Sequence, residues 1–151
     1  MTTTTPAPLT SVAIAETWLF ARLTTDPPLA ALVGTRLFAG IAPEGTDYPL
    51  LTYQGATGAD TTAPGMRRII TQMTYDVHMA VREASIAALD AIAARVDALL
   101  HGQQAYQFPS GAYTVACYRT ALVPLAGQVA GVQTRELIAS YTIIVQEAGD
   151  I

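Results

Sequence analysis

The chain contains no lysine: all eight basic residues among its 151 are arginines. That absence removes the phosphate-loop lysine, the Schiff-base lysine and the lysine general base. Charge of either sign is sparse, at 13% of residues, against roughly a quarter in ordinary globular proteins. The one cysteine, Cys117, allows no internal disulfide and fits a reducing compartment. With only two histidines, His78 and His101, the chain is poor in zinc ligands. Its glycines spell neither a dinucleotide fingerprint nor a nucleophile elbow. Long hydrophobic runs are missing as well, so no membrane-spanning helix is expected. The opening Met1–Thr10 lacks a basic segment, so no secretory signal is expected there, and a short disordered arm is expected at residues 1–8.

What remains is 51% hydrophobic, enough for one domain with a real core. We expect that domain over 9–147, with a short tail at 148–151. With so few charges the surface must be built from Thr, Ala, Gln, Ser and Gly. So bland a surface implies burial of part of it against other subunits. The net charge of −4 argues against a nucleic-acid reader, which needs a clustered basic footprint.

Periodicity gives the elements. Leu9–Leu23 predicts a helix, capped by Thr10 or Ser11, with Val12, Ala15, Leu19 and Leu23 on one stripe and Trp18 beside it. Asp26-Pro27-Pro28 can start a second, short helix over Pro27–Val33, which Gly34 stops. Strands are expected at Arg36–Ile41 and Leu50–Gln54, around a turn at Ala42–Gly45 and Tyr48-Pro49. Gly55–Gly65 has too little apolar content to order itself and predicts a mobile loop or a hairpin extension. Arg67–Val81 alternates with period 2. Ile69, Thr71, Met73, Tyr75, Val77, Met79 and Val81 should meet the helices, with Ile70, Gln72, Thr74, Asp76, His78 and Ala80 on the other face. Glu83–His101 predicts the strongest helix, its stripe being Ile86, Leu89, Ile92, Ala93, Val96, Leu99 and Leu100. A polar loop over Gln103–Gly111 follows, then strands Ala112–Val123 and Gln133–Glu147 joined by a flexible Pro124–Val132. The order predicts a single α+β domain: a mostly antiparallel sheet with two main helices packed on one face.

No catalytic, cofactor or metal set emerges from these residues. Asp76 with His78, and Asp97 with His101, are each half of a metal site at most. The plainer reading places the first pair on a polar sheet face. It pairs Asp97 with His101 at a helix C-terminus, where a cationic ring is favoured. Cys117 with His78 is the one conceivable thiol–imidazole pair, yet a buried strand cysteine explains Cys117 better. Arg67-Arg68 either blunts a strand edge or anchors an acidic patch on an adjacent subunit. The expected interface set is Arg67, Arg68, Gln72, Thr74, Asp76, His78, Asp60 and Thr61.

The order of these pieces resembles the tail-completion, or tail terminator, family of long-tailed bacteriophages. The likeness rests on four stretches. These are Asp26–Phe38, Pro43–Tyr53, the strand-to-helix run Tyr75–Gly102 and the closing strand Thr134–Val145. The resemblance implies a non-enzymatic virion protein assembled in the host cytoplasm. It implies a homo-oligomer, a hexameric ring at the neck that caps the head-proximal end of the tail tube. Its partners would be the tail tube protein and a head-completion or connector protein, with DNA passing through the lumen unread and no membrane involved. The alternatives are another head–tail connector or tail tube component, or a small-ligand-binding α+β module.

Overall fold

A computed structural model of the chain describes residues 9–82, 86–108 and 111–150. The expected arm at 1–8 and the first residues of the expected helix Glu83–His101 lie outside them. Helix α1 (Ser11–Thr24) is capped by Thr10, whose hydroxyl oxygen accepts from the Ala13 N–H at 3.3 Å. Its buried stripe is Ile14, Ala15, Trp18, Leu19 and Leu23. Val12, expected on that stripe, is 49% exposed, because the first turn is covered only along Ser11 and Ile14. Helix α2 (Pro27–Val33) starts at Asp26, whose carboxylate accepts from the Leu29 N–H at 2.9 Å, and stops at Gly34 with a positive φ.

Strand β1 is shorter than expected, Leu37–Ala39, since Gly40 turns out of the extended conformation at φ +81°. Strands β2 (Leu50–Ala63) and β3 (Arg67–Val81) form one long hairpin. The Gly55–Gly65 stretch is therefore a hairpin extension and no loop. Of the two readings its composition leaves open, the second holds, because a backbone ladder can satisfy the chain where side chains bury little. Helix α3 (Ala87–Leu100) buries Leu89, Ile92, Val96, Leu99 and Leu100. Ile86 is the residue preceding it and is half exposed, so it does not belong to the stripe.

Two further expectations are corrected. Gln103–Gln107, read as polar loop, is strand β4, hydrogen-bonded to the start of β5. Strands β5 (Tyr113–Val129) and β6 (Val132–Gln146) run through the supposed flexible Pro124–Val132 connection. They turn only at Ala130-Gly131, both with positive φ, as two-residue hairpins demand. Pro124 fits within a strand because past Cys117 β5 has no described strand on its outer side.

The sheet order is β1-β2-β3-β6-β5-β4, antiparallel except for β1 against β2. Its core face carries Met73, Tyr75, Val77, Met79, Ala139, Tyr141, Ile143 and Val145, with the helices packed on it. Tyr75 and Tyr141 are cross-strand partners, both fully buried. The Tyr75 hydroxyl donates to Glu16 of α1 at 3.3 Å, and that of Tyr141 to Asp97 of α3 at 2.9 Å. Arg22 of α1 donates twice to the Leu99 carbonyl, satisfying an orphan acceptor at the end of α3. Arg95 of α3 grips Asp26 with two bonds of 2.7 and 2.6 Å, so one carboxylate caps α2 and ties it to α3.

Leu89 is fully buried between α3 and the sheet. Leu89→Ala should lower unfolding free energy by about 2–5 kcal/mol, and Leu89→Asp by more, through an unpaired buried charge. Urea titration followed by circular dichroism reads this; an unchanged midpoint for Leu89→Asp would refute the packing. Asp26 yields a pH prediction. The Arg95 hydrogen bonds, foremost, hold its pKa below the ordinary carboxylate value, against the opposing effect of burial. A depressed carboxylate stabilises the fold above its unfolded pKa, and that contribution is lost as pH falls through the folded one. Melting temperature should therefore drop on acidification below about pH 4, and less steeply for Asp26→Asn. Parallel slopes for the two proteins would show that Asp26 carries none of the acid sensitivity.

A candidate interaction surface on the open face of the sheet

Alternation along β3 sends its even-numbered side chains away from the helices. Pairing aligns them in rows: Thr52, His78 and Ile138; Gln54, Asp76 and Ser140; Thr57, Thr74 and Thr142; Ala59, Gln72 and Ile144. Four of the expected interface residues, Gln72, Thr74, Asp76 and His78, thus share one face, joined by β2 and β6 residues not in the expected set. The Ser140 hydroxyl donates to Asp76 at 2.7 Å. His78 Nε2 lies 3.3 Å from a Glu136 carboxylate oxygen. That contact is off the line of a hydrogen bond, so the nitrogen is shut away from solvent without an aligned partner.

Asp76, His78 and Glu136 floor a pocket of about 370 Å³, walled by Gly40, Ile41, Tyr48, Leu50 and Ile138. Its outer wall exists because Gly40 throws the chain out of β1 and the segment returns to β2 only at Leu50. Arg82 stacks over the Tyr48 ring, 5.5 Å from its centre, and holds that wall in place. Two carboxylates and a histidine at the floor make the pocket acidic, while its sides are apolar.

The other expected residues lie elsewhere. Asp60 is on the helix side of the β2–β3 hairpin, accepting from the Thr71 hydroxyl at 2.6 Å, and Thr61 opposes Ile70. Arg68 pairs with Glu147 and, at 2.9 Å, with Asp150. The same Glu147 accepts from the Ser11 hydroxyl at 2.9 Å, so Arg68 ties Asp150 and the start of α1 to the hairpin just below its tip. Arg67 is exposed beside the hairpin turn.

Nothing in this arrangement assembles an active site from the candidate pairs. Cys117 is on the core face and His78 on the open face, and burial pushes the Cys117 thiol up to about 12. The Asp97 carboxylate does not pair with the His101 ring; only the His101 backbone N–H reaches the Asp97 carbonyl. The carboxylate accepts from Tyr141 and sits 3.4 Å from Arg119, whose backbone N–H donates to His101 Nδ1 at 3.0 Å. Among the described residues no group of three His, Cys, Asp or Glu side chains is placed to hold a metal.

Sequence reasoning missed the sheet edges. Past Cys117 β5 has no described strand on its outer edge and exposes Tyr118, Leu122, Val123, Leu125 and Val129 on its two faces. Past Tyr53 the outer side of β2 is likewise without a described strand. The signal was present in Thr120–Val129, whose strand-forming residues continue on either side of Pro124.

Comparison with curated proteins gives no match. Among solved structures, a chain from the virion of a native gene transfer agent particle is similar, with a TM-score of 0.71 at 20% identity. The match covers 89% of this chain and 98% of that one, and shows a shared fold. The family described as tail completion protein gp17 matches residues 17–130, from α1 through the end of β5. With most of its length inside that match, the chain belongs to the tail completion protein gp17 family.

Proposed function

We propose that this protein is a structural component of a bacteriophage tail. It closes into a ring, a hexamer by the family likeness, that ends the tail tube on its head-proximal side. The family match over residues 17–130 carries the reading, and the fold supports it. A cyclic ring needs a heterologous contact, in which one patch meets a different patch on the next copy. The sheet offers two unlike edges, β2 past Tyr53 and β5 past Cys117. Strands β2 and β5 run in opposite directions, so equally oriented neighbours present antiparallel edges to one another. Pro124 and the His101 bond to Arg119 interrupt the β5 edge, which argues for contacts through side chains rather than an unbroken ladder.

In this role the protein contacts the tube protein on one side and a head-completion or connector protein on the other, in the neck of the virion. It needs no catalysis and no cofactor. The net charge of −4 lets DNA pass a lumen without adhering. The family description and the virion origin of the similar chain support a tail component over a ligand-binding module.

Particles assembled without this protein should show tails of uncontrolled length, or tails unattached to heads, by electron microscopy. Tails of normal length joined to filled heads would reject the terminator reading. Light scattering of the purified protein should give a mass several times that of one chain.

A further inference from the structure

The molecule carries two features that its own fold does not use, and they complement one another. The first is the tip of the β2–β3 hairpin. Strand β3 pairs with β6 only from Thr71 onward, so residues 61–70 extend past the third strand, with Arg68 tied back to Glu147 and Asp150 and the turn beyond it untied among the described residues. At the tip Met66 is 89% exposed, and Arg67 follows it. Arg67 alone among the eight arginines has no partner among the described residues. Arg22, Arg36, Arg68, Arg82, Arg95 and Arg119 each engage a carbonyl, a carboxylate or a ring.

The second is the pocket on the open face. Its floor holds Asp76 and Glu136, and the enclosed His78 Nε2 lacks an aligned hydrogen bond. On its rim Ile41 is 89% exposed, matching Met66 as the most exposed large hydrophobic side chain described. A protruding apolar residue followed by an unpaired guanidinium therefore has its counterpart in an exposed apolar rim above an acidic floor. The tip and the pocket lie at opposite ends of β3, about 30–40 Å apart along the strand. A chain cannot fill its own pocket, but the next copy in a ring can.

We propose that the hairpin tip of one copy seats in this pocket of its neighbour. Met66 packs on Ile41, and the Arg67 guanidinium meets Glu136 and Asp76. The contact is heterologous, as a closed ring requires, and its charge pair selects direction and partner. This inference rests on the ring reading and names the contact that builds the ring.

The test uses the full chain, alone and on purified tail tubes. Arg67→Glu and Glu136→Arg should each weaken self-association at least about tenfold in sedimentation, through like charges set face to face. Combining the two in one chain should restore it. Independently, Met66→Cys with Ile41→Cys should give a ladder of disulfide-linked oligomers on mild oxidation, and neither single variant should extend beyond dimers. Both positions are exposed, so circular dichroism should show an unaltered fold. If the wild type forms rings while the cysteine pair gives no ladder, or Arg67→Glu assembles normally, the tip contact is wrong and the ring stands. If the wild type stays monomeric alone and on tubes, the ring reading itself falls.

Discussion

Tyr75 and Tyr141 stand side by side on paired central strands, fully enclosed, yet each ends in a hydroxyl that must find an acceptor. Leaving such a group unpaired costs about 1–3 kcal/mol, so the surroundings are constrained to supply a partner. They do so from two different helices, Glu16 on α1 and Asp97 on α3. The pair thereby fixes where each helix lies over the sheet and how far along its axis. Burial, with the nearby carboxylates adding to it, raises both phenol pKa values, so the hydroxyls stay protonated as donors. Arg22 and Arg95 finish the arrangement by tying α1 and α2 to α3.

Charge is used economically throughout. Arginines cap a helix end, hold a helix-capping carboxylate, brace the pocket wall and fasten the chain end. A guanidinium suits each task, because its planar fork makes two directed bonds where an ammonium makes a point contact. This spending of charge inside the fold accounts for the bland exterior. The surface left for partners consists of threonine rows, exposed aliphatic side chains and one acidic pocket.

The fold class and both main helices were legible because apolar periodicity follows directly from packing. Leu89, Ile92, Val96 and Leu99 repeat at helical spacing, and Met73 to Val81 alternate as a strand half covered by helices must. Strands with little buried area were less legible: composition leaves Gly55–Gly65 open between a mobile loop and a hairpin extension, and makes Pro124–Val132 read as a flexible connection. Gly55–Ala63 and Pro124–Val129 are held by backbone ladders, which leave hardly a trace in side-chain composition. The open-face quartet Gln72, Thr74, Asp76 and His78 could be read from β3 alone. The pocket that Asp76 and His78 floor could not, since Glu136, Ile138 and the Ile41 wall come from parts of the chain whose register no single strand reveals.

The division of the hairpin into a backed half and a bare half has a mechanical consequence. From Leu50 to Tyr53, β2 is buried in a layered body; from Gln54 on its side chains are almost all exposed. The body deforms only by disturbing close-packed side chains, whereas the two-stranded ribbon at residues 61–70, past the last β3–β6 pair and tied back only through Arg68, bends by small changes of twist that break no core contact. The molecule is in effect a rigid block carrying a compliant cantilever. In the proposed ring, such an arm can adjust to the pocket of the next copy while the block keeps its shape.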